Sequence, residues 1–142
     1  MDENITLLNQ VYKNVKMGEE TLKTLLPEVK DEQLKQDLEK QKDSYTEFCE
    51  KIQKELHNRQ AEPKDPGTMN KLFADMGVKM NTMMDKTRSH IADMIIQGST
   101  MGISESTKGL NNCKNTESSV RRLAEDIVSF EQNNIEKMKA YL

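Results

Sequence analysis

Two groups of residues in this chain of 142 have side chains suited to chemistry. The first is a methionine-rich stretch, MNTMMDKTRSHIADMIIQGSTMG, running from Met80 to Gly102. It holds five of the ten methionines and His90, one of two histidines. Thioether sulfur is soft and suits Cu(I). A copper site, however, needs sulfurs that converge on one point. Met76, Met80, Met83 and Met84 share a helix face, which spreads them along a line. Methionine also fills irregular gaps in apolar cores and adapts at binding surfaces, and core packing is the simpler reading here.

The second group is polar and dispersed. Glu19, Gln41, Gln97 and Asn134 each interrupt an otherwise apolar helical stripe once. Folding the chain about turns centred near residues 30 and 116 sets Glu19 opposite Gln41, and Asn134 opposite Gln97 and Gly98. These four are expected to form a buried hydrogen-bonding layer that fixes helix register. Four-helix bundles that hold two metal ions at such a level take a Glu from each of two helices and a Glu-x-x-His pair from each of the other two. That pattern fails throughout. Lys54 precedes His57 by three residues, Thr87 precedes His90, and Glu131 is followed three residues later by Asn134. Neither a metal site nor a bound cofactor is expected.

The elements that would position these residues are helices. Charged residues make up 32% and aromatics 4%, and no run of alternating β-branched residues or hairpin turn occurs. The class is all-α. Apolar residues recur at spacings of three and four over about 4–26 (Ile5, Leu8, Val11, Val15, Leu22), 31–58 (Leu34, Leu38, Tyr45, Ile52, Leu56), 87–113 (Ile91, Met94, Ile95, Leu110) and 117–141 (Val120, Leu123, Ile127, Phe130, Met138). Asp31 suits an N-cap, as do Asp85, Thr87 or Ser89 for the third helix and Thr116 or Ser118 for the last. At about 1.5 Å per residue the four would each span roughly 35–42 Å. Short loops make two antiparallel hairpins. Between them the proline-rich linker and an amphipathic segment over about 68–84 would carry the chain back along the bundle. That is a ferritin-like four-helix bundle with a helical crossover, one domain over 1–142. A single bent helix over 68–113 is the rival reading.

The hairpin LPEVKDEQLKQDLEKQKDSY and the segment SHIADMIIQGSTMGI resemble an uncharacterised bacterial ferritin-like family of small four-helix proteins that lacks the usual di-metal ligands. The resemblance runs over nearly the whole chain and implies fold rather than activity. Of ferritin's ligands it leaves Glu19 alone as a candidate, without partners.

Several functions are disfavoured. A net charge of −3, with both signs mixed along every segment, offers no basic stripe for nucleic acid. No apolar run reaches membrane-spanning length, and the start MDENITLL has no signal pattern. A cytoplasmic protein is expected. No phosphate-binding glycine loop occurs, and GISESTKG has the wrong spacing. Cys49 and Cys113 differ in height by roughly 12 Å, too far for a disulfide. The tract Gly98, Ser99, Gly102, Ser104, Ser106, Gly109 suits close helix approach. Met69, Leu72, Phe73 and Met76 make the candidate interface of a homodimer. The expected role is a non-enzymatic structural or protein-interaction module. The alternative is a metal-handling or redox protein with a non-standard site.

Overall fold

In the computed structural model, which describes residues 2–63 and 85–142, the apolar stripes wind into four helices. These are α1 (Glu3–Leu25), α2 (Glu32–Asn58), α3 (Arg88–Asn112) and α4 (Ser118–Lys139), with no strand among the described residues. Three starts are capped by side chains, each of which satisfies an orphan backbone N–H. Asp2 accepts from Asn4 N, Asp31 from Leu34 N and Thr87 from His90 N. The fourth differs from expectation. Glu117, not Thr116 or Ser118, is the N-cap residue of α4 and makes no side-chain cap bond. Its own backbone N–H donates to Asn4 Oδ1 on α1 at 2.7 Å, a tertiary contact that anchors the start of α4.

Pro27 lies in a single 3₁₀ turn, Leu26–Glu28, that leads from α1 toward α2. The far end of α2 closes differently. Ala61 N–H reaches back to Leu56 O and Gln60 N–H to His57 O, with Gln60 in the left-handed region at φ 56°. Glycine usually occupies that position, because it has no Cβ to crowd the neighbouring carbonyl.

Cross-helix bonds set the directions. Gln53 donates to Tyr12 Oη at 3.2 Å and Thr46 to Glu19 at 2.6 Å, so α2 runs antiparallel to α1. Gly109 lies against Leu7, and Asn14 donates to Ser106 Oγ, so α3 is also antiparallel to α1. Tyr45 meets Glu131, and Arg59 meets Glu117 at 2.6 Å, which makes α4 antiparallel to α2. Lys86 pairs with Glu28 at 2.8 Å and Arg88 with Asp31 at 3.5 Å. The start of α3 therefore lies at the end where α2 begins, and α2 finishes at the opposite end.

Thr87, at φ −65° and ψ 153°, is extended and caps α3, which rules out one continuous helix over 68–113. The expected helix over 68–84, with Met69, Leu72, Phe73 and Met76, lies outside the described residues.

The core is one cluster drawn from all four helices, including Leu7, Val15, Leu25, Leu38, Ile52, Ile91, Ile127 and Met138. Helix α3 contributes small residues to it. Ser99, Gly102, Ser106 and Gly109 are buried at helical spacing. A Cβ on Gly109 would lie 3.0 Å from Leu7 Cδ1, and one on Gly102 would lie 3.2 Å from Glu131 Oε1. These positions let α3 approach α1 and α4 closely enough to bring polar side chains together. No helix among the described residues is long and apolar enough to cross a membrane.

Candidate functional site

Adjacent residues at mid-height of α2 hold two buried carboxylates of the bundle's interior. Thr46 faces α1 and donates to Glu19; Tyr45 faces α4 and sets its hydroxyl 2.8 Å from both oxygens of Glu131. Glu19 and Glu131 are each 3% exposed, so their environments decide their charge.

The two are tuned in opposite directions. Burial raises the pKa of Glu19, but Lys16 at 2.7 Å, Thr46 and Lys23 at 3.6 Å outweigh that and hold it below the usual carboxylate range. Lys16 is raised in turn, because its bond to Glu19 overcomes the desolvation that would lower it. Burial also pushes the Cys49 thiol up to about 12, with Glu19 adding to the effect, so it is not a nucleophile at neutral pH.

Among the described residues no such cation acts on Glu131. Desolvation pushes it up to about 7, and the Ser99, Tyr45 and Asn134 side chains pull it only part of the way back. Burial and the Glu131 charge together raise Tyr45 well above the usual phenol value. At neutral pH Glu131 is thus divided between a neutral acid that can donate a hydrogen bond and a carboxylate that accepts one.

Next to this pair is a cavity of about 330 Å³. Gln41, Tyr45, Ser99 and Glu131 supply polar groups to its lining, and Met17, Leu22, Met94 and Ile95 supply apolar ones. Gly18 decides where the Tyr45 ring can lie. A Cβ there would come within 2.5 Å of Tyr45 Cε1, so only glycine admits the ring against the α1 backbone. Phe130 then meets that ring edge-on, with centroids 4.9 Å apart, and holds it in place.

The expected polar layer is met unevenly. Glu19, Gln41 and Asn134 are buried. Gln97 is exposed, its amide bonded to Asp93 at 3.1 Å on its own helix, and Ser99 takes the inward position. Two residues along an α-helix are about 200° apart, so the residue that follows Ile95 inward at i+4 is Ser99 rather than Gln97. Glu19 also meets Thr46 and not Gln41. Side chains lean toward their own helix N-terminus, which in an antiparallel pair shifts contacts away from the loop relative to a backbone count.

Among the described residues neither side-chain polar atom of Gln41 makes a hydrogen bond, and Asn134 Nδ2 makes none of good geometry. The buried polar atoms are therefore not knit into one continuous network. Of the methionine stretch, Met94 is half-buried and Met101 is 62% exposed, while Met80, Met83 and Met84 lie outside the described residues.

Glu131 is the residue that stripe-reading missed as a site. Its signal was present: 127, 131, 134 and 138 form an inward stripe, all buried in α4. Phe130 next to it, aromatic and half-buried, drew the stripe one position aside.

Glu131 and Asn134 share a face at the i,i+3 spacing of a metal-ligand pair, with an amide in the position of an imidazole. Among the described residues no group of three or more His, Cys, Asp or Glu is placed to hold a metal ion.

A family model described as a domain of unknown function, DUF2383, matches residues 3–112. Those residues take in α1, α2 and α3. No curated protein and no solved structure matches the chain.

Proposed function

The chain belongs to the DUF2383 family, and on that premise we propose that it is a non-enzymatic helical-bundle module of ferritin-like connectivity, acting by binding rather than by catalysis. One observation carries this reading: neither buried carboxylate among the described residues has the neighbours of a ferritin-like metal centre. Glu19 is neutralised by Lys16 and Lys23, and Glu131 takes the Tyr45 hydroxyl across both oxygens. A ferritin-like metal centre would need further carboxylates and an imidazole beside them.

The connectivity is supported by the helix ends. With α2 finishing at one end and α3 starting at the other, the chain must pass from end to end between them, which two hairpins joined by one crossover require. Self-association as a homodimer in the bacterial cytoplasm belongs to the same proposal. The face expected for such contact, Met69, Leu72, Phe73 and Met76, lies outside the described residues.

The second reading is a non-standard metal or redox protein, favoured by two buried carboxylates at one height. Elemental analysis of protein purified without chelator separates the two. No stoichiometric Fe, Mn or Cu is expected, and one bound ion per chain would overturn the proposal. Light scattering after size exclusion tests self-association, which a strictly monomeric mass would remove.

A further inference from the structure

The cavity beside Glu131 has chemistry that the packing of the bundle leaves unused. Gln41 is 4% exposed, lines the cavity, and bonds through neither its amide oxygen nor its nitrogen. A buried amide without partners is destabilising, and Leu in its place would avoid that cost. Glu131 lines the same space, and among the described lining residues none is Lys, Arg or His. Its charged form has the Tyr45 hydroxyl as a donor but no countercharge in the cavity. The remaining walls are largely hydrocarbon and thioether: Met17, Leu22, Met94 and Ile95. Gly98 lines the cavity as well, and a Cβ there would meet nothing within 4 Å. A pocket of this kind, apolar with a few convergent polar groups and about 330 Å³ in volume, is built like a small-molecule site.

We propose that this cavity binds a small primary ammonium compound with a short apolar tail, its N–H groups taken by the Glu131 carboxylate and the Gln41 amide oxygen. The choice of head group follows from the donors required. An ammonium brings three N–H donors and the missing positive charge. A carboxylate ligand would meet the like charge of Glu131. An alcohol would bring one donor and leave the charge unbalanced. The tail lies against Met17, Leu22 and Met94, whose side chains adapt to shape at low cost.

Calorimetric titration of the full chain at pH 8 with n-butylammonium, 1-butanol and butyrate tests this. Butylammonium is expected to bind saturably and at least about tenfold more tightly than 1-butanol, as a charge-assisted hydrogen bond implies, with no saturation by butyrate. Glu131→Gln, isosteric and checked for folding by far-UV circular dichroism, should lose that preference. Gly98→Leu, which adds bulk at a lining position where a Cβ meets nothing within 4 Å, should weaken butylammonium by a similar factor and serves if the first variant fails to fold. Equal affinity for butanol, an unchanged preference in Glu131→Gln, unchanged affinity in Gly98→Leu, or no saturation by butylammonium would each overturn the site.

Discussion

Replacing Glu131 by Gln should make the protein more stable in mild alkali than it is with its native residue. In the folded chain Glu131 is pushed up from the usual 4.5 to about 7, mainly by burial. A folded-state pKa above the unfolded one means that the native state holds the proton more tightly. The contribution of Glu131 is therefore fully favourable below pH 4.5 and is lost as pH rises through 7. By linkage the loss between pH 5 and pH 8 comes to about 2–3 kcal/mol.

Glutamine has the same shape, keeps an acceptor for the Tyr45 hydroxyl and never ionises. The variant should therefore not pay this pH-dependent penalty. Urea unfolding followed by far-UV circular dichroism at pH 5 and pH 8, on both proteins, yields the double difference. Other groups that titrate in this window act alike in both chains and cancel. Tyr45, raised well above 10, stays protonated throughout. The variant should gain about 2–3 kcal/mol on the wild type between the two pH values. Parallel pH profiles, agreeing within about 0.5 kcal/mol, the usual margin of additivity, would refute the claim that Glu131 is buried without a countercharge.

Glu19 should behave in the opposite sense. Its pKa is held low by Lys16, so its stabilisation is present above the usual carboxylate range and is lost as pH falls through the folded-state value. Glu19→Gln should cost about 1–3 kcal/mol at pH 7, and urea melts should show the deficit shrinking in acid. Two glycines of the cavity should respond oppositely to Ala. Gly18→Ala forces a methyl against the Tyr45 ring and should cost about 1–3 kcal/mol, with a changed near-UV tyrosine signal. Gly98→Ala meets open space and should stabilise by about 1 kcal/mol through helix propensity, both read from denaturant midpoints. Gln60→Gly should raise stability by about 1 kcal/mol, because it removes a Cβ from a left-handed position at φ 56°. Cys49 and Cys113, both buried, should react slowly with a thiol reagent in native buffer and rapidly in denaturing urea.

The helices and most of their ends could be read from the sequence because both depend on short-range physics. An apolar residue every three or four positions builds a stripe whatever lies across from it. Asp31 and Thr87 cap because each side chain reaches an N–H three residues ahead in its own chain. The exception among these starts, Glu117, is the one held by another helix. Burial of Glu19, Gln41 and Asn134 was also legible, as single breaks in regular stripes.

Only the tertiary structure decided which of those groups meet. Whether Gln97 or Ser99 faces inward is a matter of helix rotation, and Ser99 is chosen because small residues let α3 close against α1 and α4. Whether Glu19 finds Gln41 or Thr46 depends on how two antiparallel helices interlock, a displacement of about one turn that no periodicity records. The shift of Glu131 to about 7 requires that it be buried against Tyr45 with no cation among the described residues in reach. A carboxylate's charge is set by everything within a few ångströms of it, and here that company comes from helices far apart in the chain.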